Sequence, residues 1–195
     1  MNIFNDYLKN LNYILEQGNN RLQKGHSINP KGELFKELND LFPEDQLLPS
    51  LEEFSSMTGM IPNFSQKLGS HPDFSSLKGN SSIENHYIVS MFIDIKGSTN
   101  LFKKYHPALV FYISNTIQKV AIHTSLIFGA YVQRLHGDGL FVYFGGKRIA
   151  KEVAVQRALQ CASVYSYFIK NDLKNLFNEA GIETIYTRVC LKNAF

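Results

Sequence analysis

The chain has 195 residues, of which 44% are hydrophobic and 19% are charged, and its net charge is +3. These values are ordinary for a globular protein, and the length suffices for one sizeable domain with a small appendage. The dispersed basic residues do not form the clustered face that nucleic-acid binding usually needs. The sequence shows neither an apolar run of 18 residues nor a secretory leader pattern, so we expect a cytoplasmic protein without membrane insertion.

Residues 1–79 are predicted to form a helical extension followed by an irregular arm. Apolar side chains recur at three- and four-residue spacing over residues 3–17, which is typical of an amphipathic helix, and Gly18 is a plausible end for it. A second, short helix is predicted over residues 33–42. The first helix could pack on its own domain or form a dimer interface, and the pattern favours neither arrangement.

The next feature is a buried strand that ends in an aspartate. Residues 88–93 are apolar and rich in β-branched and aromatic side chains, which predicts a strand rather than a helix, and Asp94 follows directly. Gly97 would let the backbone approach a ligand closely. A polar side chain among residues 98–100 could cap the helix that follows, whose first N–H groups could bind an anion.

A long helix is predicted over residues 107–128. Pro107 suits its first turn and Gly129 suits its end. Apolar residues recur along one face, so we expect that face to be buried.

Asp138 lies in a Gly-Asp-Gly turn between two strand patterns, at residues 131–135 and 140–144, which is a strong hairpin signal. If this hairpin pairs beside the first strand, Asp94 and Asp138 can converge. A divalent cation relieves the repulsion between two close carboxylates, and Mg²⁺ is commonly held by one or two carboxylates plus substrate phosphates. The pattern indicates a metal–triphosphate site, although each aspartate alone could be an ordinary turn or cap residue.

The last elements are a helix predicted over residues 150–180, ended by Gly181, and a strand predicted over residues 182–191. Ile185, Val189 and Leu191 could face a core.

Two segments carry a resemblance to a known family. FIDIKGST, at residues 92–99, resembles the first metal-binding motif of the class III nucleotide cyclases, and GAYVQRLHGDGLFVYF, at residues 129–144, resembles the second. The order, the spacing and the intervening helix also fit, and the resemblance covers residues 87–191. The chain looks most like the Pycsar cyclases, which are bacterial antiphage enzymes that make cyclic UMP or cyclic CMP.

The resemblance implies an α/β (α+β), ferredoxin-like cyclase domain at residues 80–195, with a mixed or antiparallel sheet covered by helices. Asp94, Asp138 and the Ile95 carbonyl would hold two Mn²⁺ or Mg²⁺ ions. The triphosphate of a nucleoside triphosphate, UTP in preference to CTP, would be cradled by Lys96, Gly97, Ser98 and Thr99.

The resemblance also implies a homodimer, and an effector that responds to the cyclic nucleotide in antiphage defence. Family members normally continue after the strand at residues 182–191. That later half carries the base-recognising residues and the Asn and Arg that stabilise the transition state, and neither Arg188 nor Asn193 lies in a matching motif. The alternatives are a purine nucleotide cyclase and an inactive nucleotide-binding or dimerisation module.

Overall fold

The computed structural model describes residues 3–23, 47–62, 64, 68–77, 79 and 83–194. The helix predicted over residues 33–42 lies outside these residues. The described α-helices are α1 (Asn5–Gln23), α2 (Pro49–Thr58), α3 (Ser98–Lys104), α4 (Pro107–Ile127), α5 (Lys151–Tyr167) and α6 (Lys174–Glu179). The described strands are β1 (Ile88–Ile95), β2 (Tyr131–His136), β3 (Gly139–Gly145) and β4 (Thr187–Ala194).

The four strands form one sheet in the order β2-β3-β1-β4, and every neighbouring pair is antiparallel. The chain runs β1, α4, β2, β3, α5, β4, so each long helix connects strands that are not neighbours in the sheet. This is the ferredoxin-like arrangement, and the predicted α/β (α+β) fold with a helix-covered sheet is confirmed. Of the two sheet types expected, the antiparallel one is observed.

One face of the sheet packs on the helices. Alternate residues of β1, among them Val89, Met91 and Ile93, are buried, as are Ile113 and Ile117 of α4. Burying a side chain of this size stabilises the fold by roughly 1.5–3 kcal/mol. The alternation in β1 places Asp94 on the opposite face from this core.

Helix α1 packs into the same core. Phe4, Tyr7 and Leu11 are fully buried, and the Tyr7 hydroxyl shares a hydrogen bond of 2.5 Å with Nδ1 of His123 on α4. The apolar stripe of α1 is therefore used within its own chain. The expectation that this helix ends at Gly18 is wrong, because it continues to Gln23. A glycine inside a helix costs only about 1 kcal/mol relative to alanine, which packing of the buried face can offset.

The opposite face of the sheet is partly covered by a 3₁₀ turn, Pro72–Leu77, and the residue before it. The His71 ring lies 4.0 Å, centroid to centroid, from Tyr131, and its Nε2 donates to the Gly145 carbonyl at 3.1 Å. The His71 Nδ1 accepts the Asp73 N–H at 3.0 Å, which leaves Nε2 as the protonated nitrogen. The arm thus covers the end of the sheet where β1 begins, away from Asp94.

The last strand and the helix before it also differ from the expected ones. The last strand begins at Thr187 instead of residue 182, because Thr187 pairs with Ile95, where β1 ends. The helix predicted over residues 150–180 is interrupted by a π-helical turn, Phe168–Leu173, which places Phe168, Ile169 and Leu173 in the core. Among the described residues, we find no helix that is both long and apolar enough to cross a bilayer.

Candidate metal and nucleotide site

Asp94 is the penultimate residue of β1 and points away from the helical core. Its side chain is 22% exposed, and its Oδ2 accepts a hydrogen bond from Nη2 of Arg188 at 2.8 Å. The carboxylate is therefore sheltered but reachable at the rim of the sheet.

Asp138 occupies the second position of the two-residue turn that joins β2 and β3. His136 and Gly139 form the last pair of the hairpin, and Gly137 between them has a φ of +61°. No residue other than glycine has a positive φ among the described residues, so Asp138 has a negative one. A turn in which only the first central residue has a positive φ is of type II′, and glycine is preferred at that first position.

The register of the sheet brings the two aspartates to the same end. Ile93 pairs with Leu140 in the last pair between β1 and β3; Asp94 is the next residue of β1, and Asp138 directly precedes Gly139, the first residue of β3. Adjacent strands are about 4.8 Å apart. The hairpin therefore pairs beside β1, as the sequence predicted, and the two aspartates lie at the same end of neighbouring strands.

One oxygen of this pair lacks a partner. Among the described residues, the Asp138 Oδ2 is inaccessible to solvent and has no hydrogen-bond partner. Such an atom costs on the order of 1–3 kcal/mol, and more when it is charged. A cation at this corner would satisfy it. The described residues hold no group of three or more His, Cys, Asp or Glu side chains placed for a metal, so further ligands would be carbonyl, water or phosphate oxygens.

Arg188 is the residue at this site that sequence reasoning did not assign. It pairs directly with Asp94 across β1 and β4, and its side chain is 64% exposed. An ion pair this exposed contributes roughly 0–1 kcal/mol to stability. Arg188 lies in no recognised motif, and the only sequence signal that could have found it is the antiparallel pairing of the last strand with the first.

The loop after β1 depends on Gly97. Its φ of +73° is in the left-handed region that glycine tolerates best, and it is the N-cap of α3. The expectation that a side chain among residues 98–100 caps this helix is wrong. Ser98 is the first residue of the helix itself, and the helix has no side-chain hydrogen bond at its N-cap. The Lys96 N–H donates to the Tyr186 carbonyl at 2.8 Å. Lys96 can therefore bind an anion through its side-chain ammonium group but not through its backbone N–H.

Two small clefts flank this corner. One, of about 340 Å³, includes Ser98, Gln118 and Asp138 in its lining. The other, of about 250 Å³, includes Lys96 and Gly97. A larger groove of about 1050 Å³ lies at the other end of the sheet, between α2 and α5. That groove contains neither aspartate, whereas Asp138 lines the cleft of about 340 Å³, so we place the candidate chemistry at this corner; Asp94 is not among the lining residues of either small cleft.

Known proteins match this chain in sequence over most of its length. A cytidylate cyclase from Staphylococcus aureus is 34% identical over 147 residues, which cover 75% of this chain and 34% of that protein. The predicted resemblance to nucleotide cyclases is confirmed. A cytidylate cyclase from Escherichia coli is 32% identical over 127 residues, covering 63% of this chain and 27% of that protein. The chain thus spans about a third of the length of the curated relatives it matches. No protein-family model matches it.

Solved cyclase structures overlap with part of the chain. The dimeric guanylyl cyclase domain of the RhoGC fusion protein from the fungus Blastocladiella emersonii has a TM-score of 0.48 and 18% identity, covering 58% of this chain and 60% of that one. The adenylyl cyclase CyaB from P. aeruginosa has a TM-score of 0.46 and 19% identity, covering 55% of this chain and 56% of that one. Similarity at this level carries no information about the site.

Proposed function

We propose that this chain supplies the metal- and triphosphate-binding residues of a pyrimidine nucleotide cyclase, which converts CTP or UTP into the 3′,5′-cyclic monophosphate and pyrophosphate. The observation that supports the proposal is the position of Asp94 and Asp138 at the same end of two neighbouring strands, in a chain whose curated relatives are cytidylate cyclases. The name of those relatives makes CTP the first substrate to test, with UTP, the substrate favoured by the Pycsar resemblance, beside it.

The residues at this corner fit a divalent cation. Carboxylate and carbonyl oxygens are the ligands that Mg²⁺ and Mn²⁺ prefer, and the partnerless Asp138 Oδ2 is an atom that a cation would satisfy. Asp94, Asp138 and the Ile95 carbonyl would hold the two ions. When bound, such ions neutralise phosphate charge and lower the pKa of the attacking hydroxyl.

Two cations of this chain would bind the anionic part of the substrate. Arg188 adjoins Asp94, and its planar guanidinium can bind phosphate oxygens in a bidentate manner. Lys96 is exposed at the start of the loop formed with Gly97, Ser98 and Thr99. Cyclisation rests mainly on positioning the triphosphate and stabilising its charge, which these groups can do.

The assembly and cellular role are part of the same proposal. The class III resemblance implies a head-to-tail dimer, so we propose a homodimer. We further propose that the product is a second messenger in antiphage defence, made in the cytoplasm and read by an effector that binds the cyclic nucleotide. Only the resemblance supports these statements.

The decisive experiment is to incubate the protein with each of the four ribonucleoside triphosphates and Mn²⁺ and to identify products by mass spectrometry. Cyclic CMP or cyclic UMP would support the proposal. Cyclic AMP or cyclic GMP would replace it with a purine cyclase. Metal-dependent nucleotide binding without any product would replace it with an inactive module.

A further inference from the structure

Gln118 connects helix α4 to the turn that carries Asp138. Its side-chain Nε2 donates a hydrogen bond to the Gly137 carbonyl at 3.3 Å. Gln118 is half-buried, and the preceding residue, Ile117, is buried in the core. The packing of Ile117 fixes the position of helix α4 at this point. The hydrogen bond therefore ties a two-residue turn to a rigid element.

The accepting carbonyl belongs to the peptide group between Gly137 and Asp138. Type II′ and type I′ turns differ mainly by a flip of this central peptide, and the type I′ form gives the second residue a positive φ. Aspartate tolerates a positive φ better than most residues, so the flipped form is within reach of this turn. By holding the carbonyl, Gln118 favours the observed form, in which Asp138 has a negative φ.

The direction of the Asp138 side chain depends on which form the turn adopts. In the observed form, Asp138 and Gln118 both line the cleft of about 340 Å³, and the Asp138 Oδ2 is buried without a partner among the described residues. A peptide flip would turn the Asp138 N–H to the other side of the turn and change the φ of Asp138, and the rotamers open to the carboxylate depend on that φ. A single exposed hydrogen bond can thus bias the geometry of a metal ligand.

We propose that Gln118 is a positioning residue for Asp138, which acts through the Gly137 carbonyl and does not itself touch the metal or the nucleotide. This inference rests on the proposed function, since it takes Asp138 to be a metal ligand. Its test separates the two ideas because metal binding can be measured without turnover.

The test uses Gln118→Met, which keeps a side chain of similar length but removes the N–H donor. Gln156→Met makes the same chemical change on the exposed surface of α5, in the groove at the other end of the sheet. Free Mn²⁺ is measured by electron paramagnetic resonance during titration of each variant, of the unaltered protein and of Asp138→Asn. Circular dichroism verifies folding, and Gln118→Leu replaces Gln118→Met if the latter fails to fold.

We expect Gln118→Met to raise the Mn²⁺ dissociation constant about three- to tenfold, the effect of one hydrogen bond. Gln156→Met should bind as the unaltered protein does. In turnover assays, Gln118→Met should shift the half-saturating Mn²⁺ concentration by the same factor, and kcat at saturating Mn²⁺ should change less than about twofold.

The unfavourable outcomes point to different errors. If Asp138→Asn loses Mn²⁺ binding while Gln118→Met binds as tightly as the unaltered protein, the role of Gln118 is wrong and the metal site stands. An equal loss in Gln118→Met and Gln156→Met would also overturn the role of Gln118. If Asp138→Asn binds Mn²⁺ normally, the proposed metal site is wrong and the inference about Gln118 falls with it.

Discussion

At the scale of single residues, the two aspartates at the corner of the sheet should be required for catalysis and dispensable for folding. Asp94→Asn and Asp138→Asn should each lower turnover about 100-fold or more, because an amide is a poorer ligand for a hard cation. Asp138→Asn should not lower the Tm measured without metal. One oxygen of the Asp138 carboxylate is buried without a partner among the described residues, and the substitution removes the charge from this group. Stopped product assays and thermal melts measure the two effects.

Asp172→Asn is the matched control for these variants. Asp172 lies in the π-helical turn, and it too has a buried carboxylate oxygen without a partner among the described residues, while burial raises the pKa of its carboxyl group. The same substitution there should leave turnover unchanged. Retained turnover in Asp94→Asn or in Asp138→Asn would sink the two-metal proposal.

Arg188 should affect nucleotide binding more than metal binding. In Arg188→Met, the apparent KM for the nucleoside triphosphate should rise about tenfold, because a charge-assisted bond to phosphate contributes roughly 1.5–3 kcal/mol. The dissociation constant for Mn²⁺ alone should stay the same or fall, because Asp94 no longer has a competing cation. Arg148→Met, in the exposed turn beyond the far end of β3, is the control. An unchanged KM in Arg188→Met would show that Arg188 contacts no phosphate.

At the scale of elements, the contact between α1 and α4 should make stability depend on pH. His123 is 2% exposed, and burial, together with the nearby Lys119 charge, lowers its pKa from 6.5 to about 4. The unfolded chain therefore takes up a proton near pH 6.5, whereas the folded chain does so only near pH 4. The stability that neutral His123 provides is complete above pH 6.5 and is lost as the pH falls toward 4, by at most about 1.4 kcal/mol per pH unit.

Urea unfolding at pH 7, 6 and 5 measures this dependence. His123→Gln cannot titrate, so the free energy of unfolding of this variant should fall less steeply over that range than that of the unaltered protein. Carboxylate titrations contribute equally to both proteins and cancel in the comparison. Equal slopes for the two proteins would contradict a controlling role of His123.

At the scale of the whole molecule, α1 should unfold together with the sheet. Leu11 is fully buried in the shared core, so Leu11→Ala should lower the free energy of unfolding by about 2–5 kcal/mol. Leu159→Ala, at a site that is 53% exposed, should change it by less than about 0.5 kcal/mol. A separate early transition, or a Leu11→Ala variant as stable as the unaltered protein, would instead make residues 1–79 an independent unit.

How much of the molecule could be predicted from its sequence depends on the range of the interactions involved. The turn at Gly137 and Asp138 and the helix Pro107–Ile127 were predicted because turn chemistry and helix signals are local. The start of β4 was not predicted, because Thr187 is a strand residue only through its pairing with Ile95 of β1. Arg188 was missed for the same reason, since its partner lies 94 residues away in the sequence.

The ion pair between Arg188 and Asp94 has a consequence for the order in which ligands bind. A cation at Asp94 competes with Arg188 for the negative charge of the carboxylate, and a triphosphate competes with Asp94 for the guanidinium of Arg188. Whichever ligand comes second meets a pair that is already broken, so each should increase the affinity for the other by the same factor. The exposed pair contributes up to about 1 kcal/mol, which limits this share of the coupling to about fivefold. The two ligands would thus bind cooperatively without any movement of the backbone.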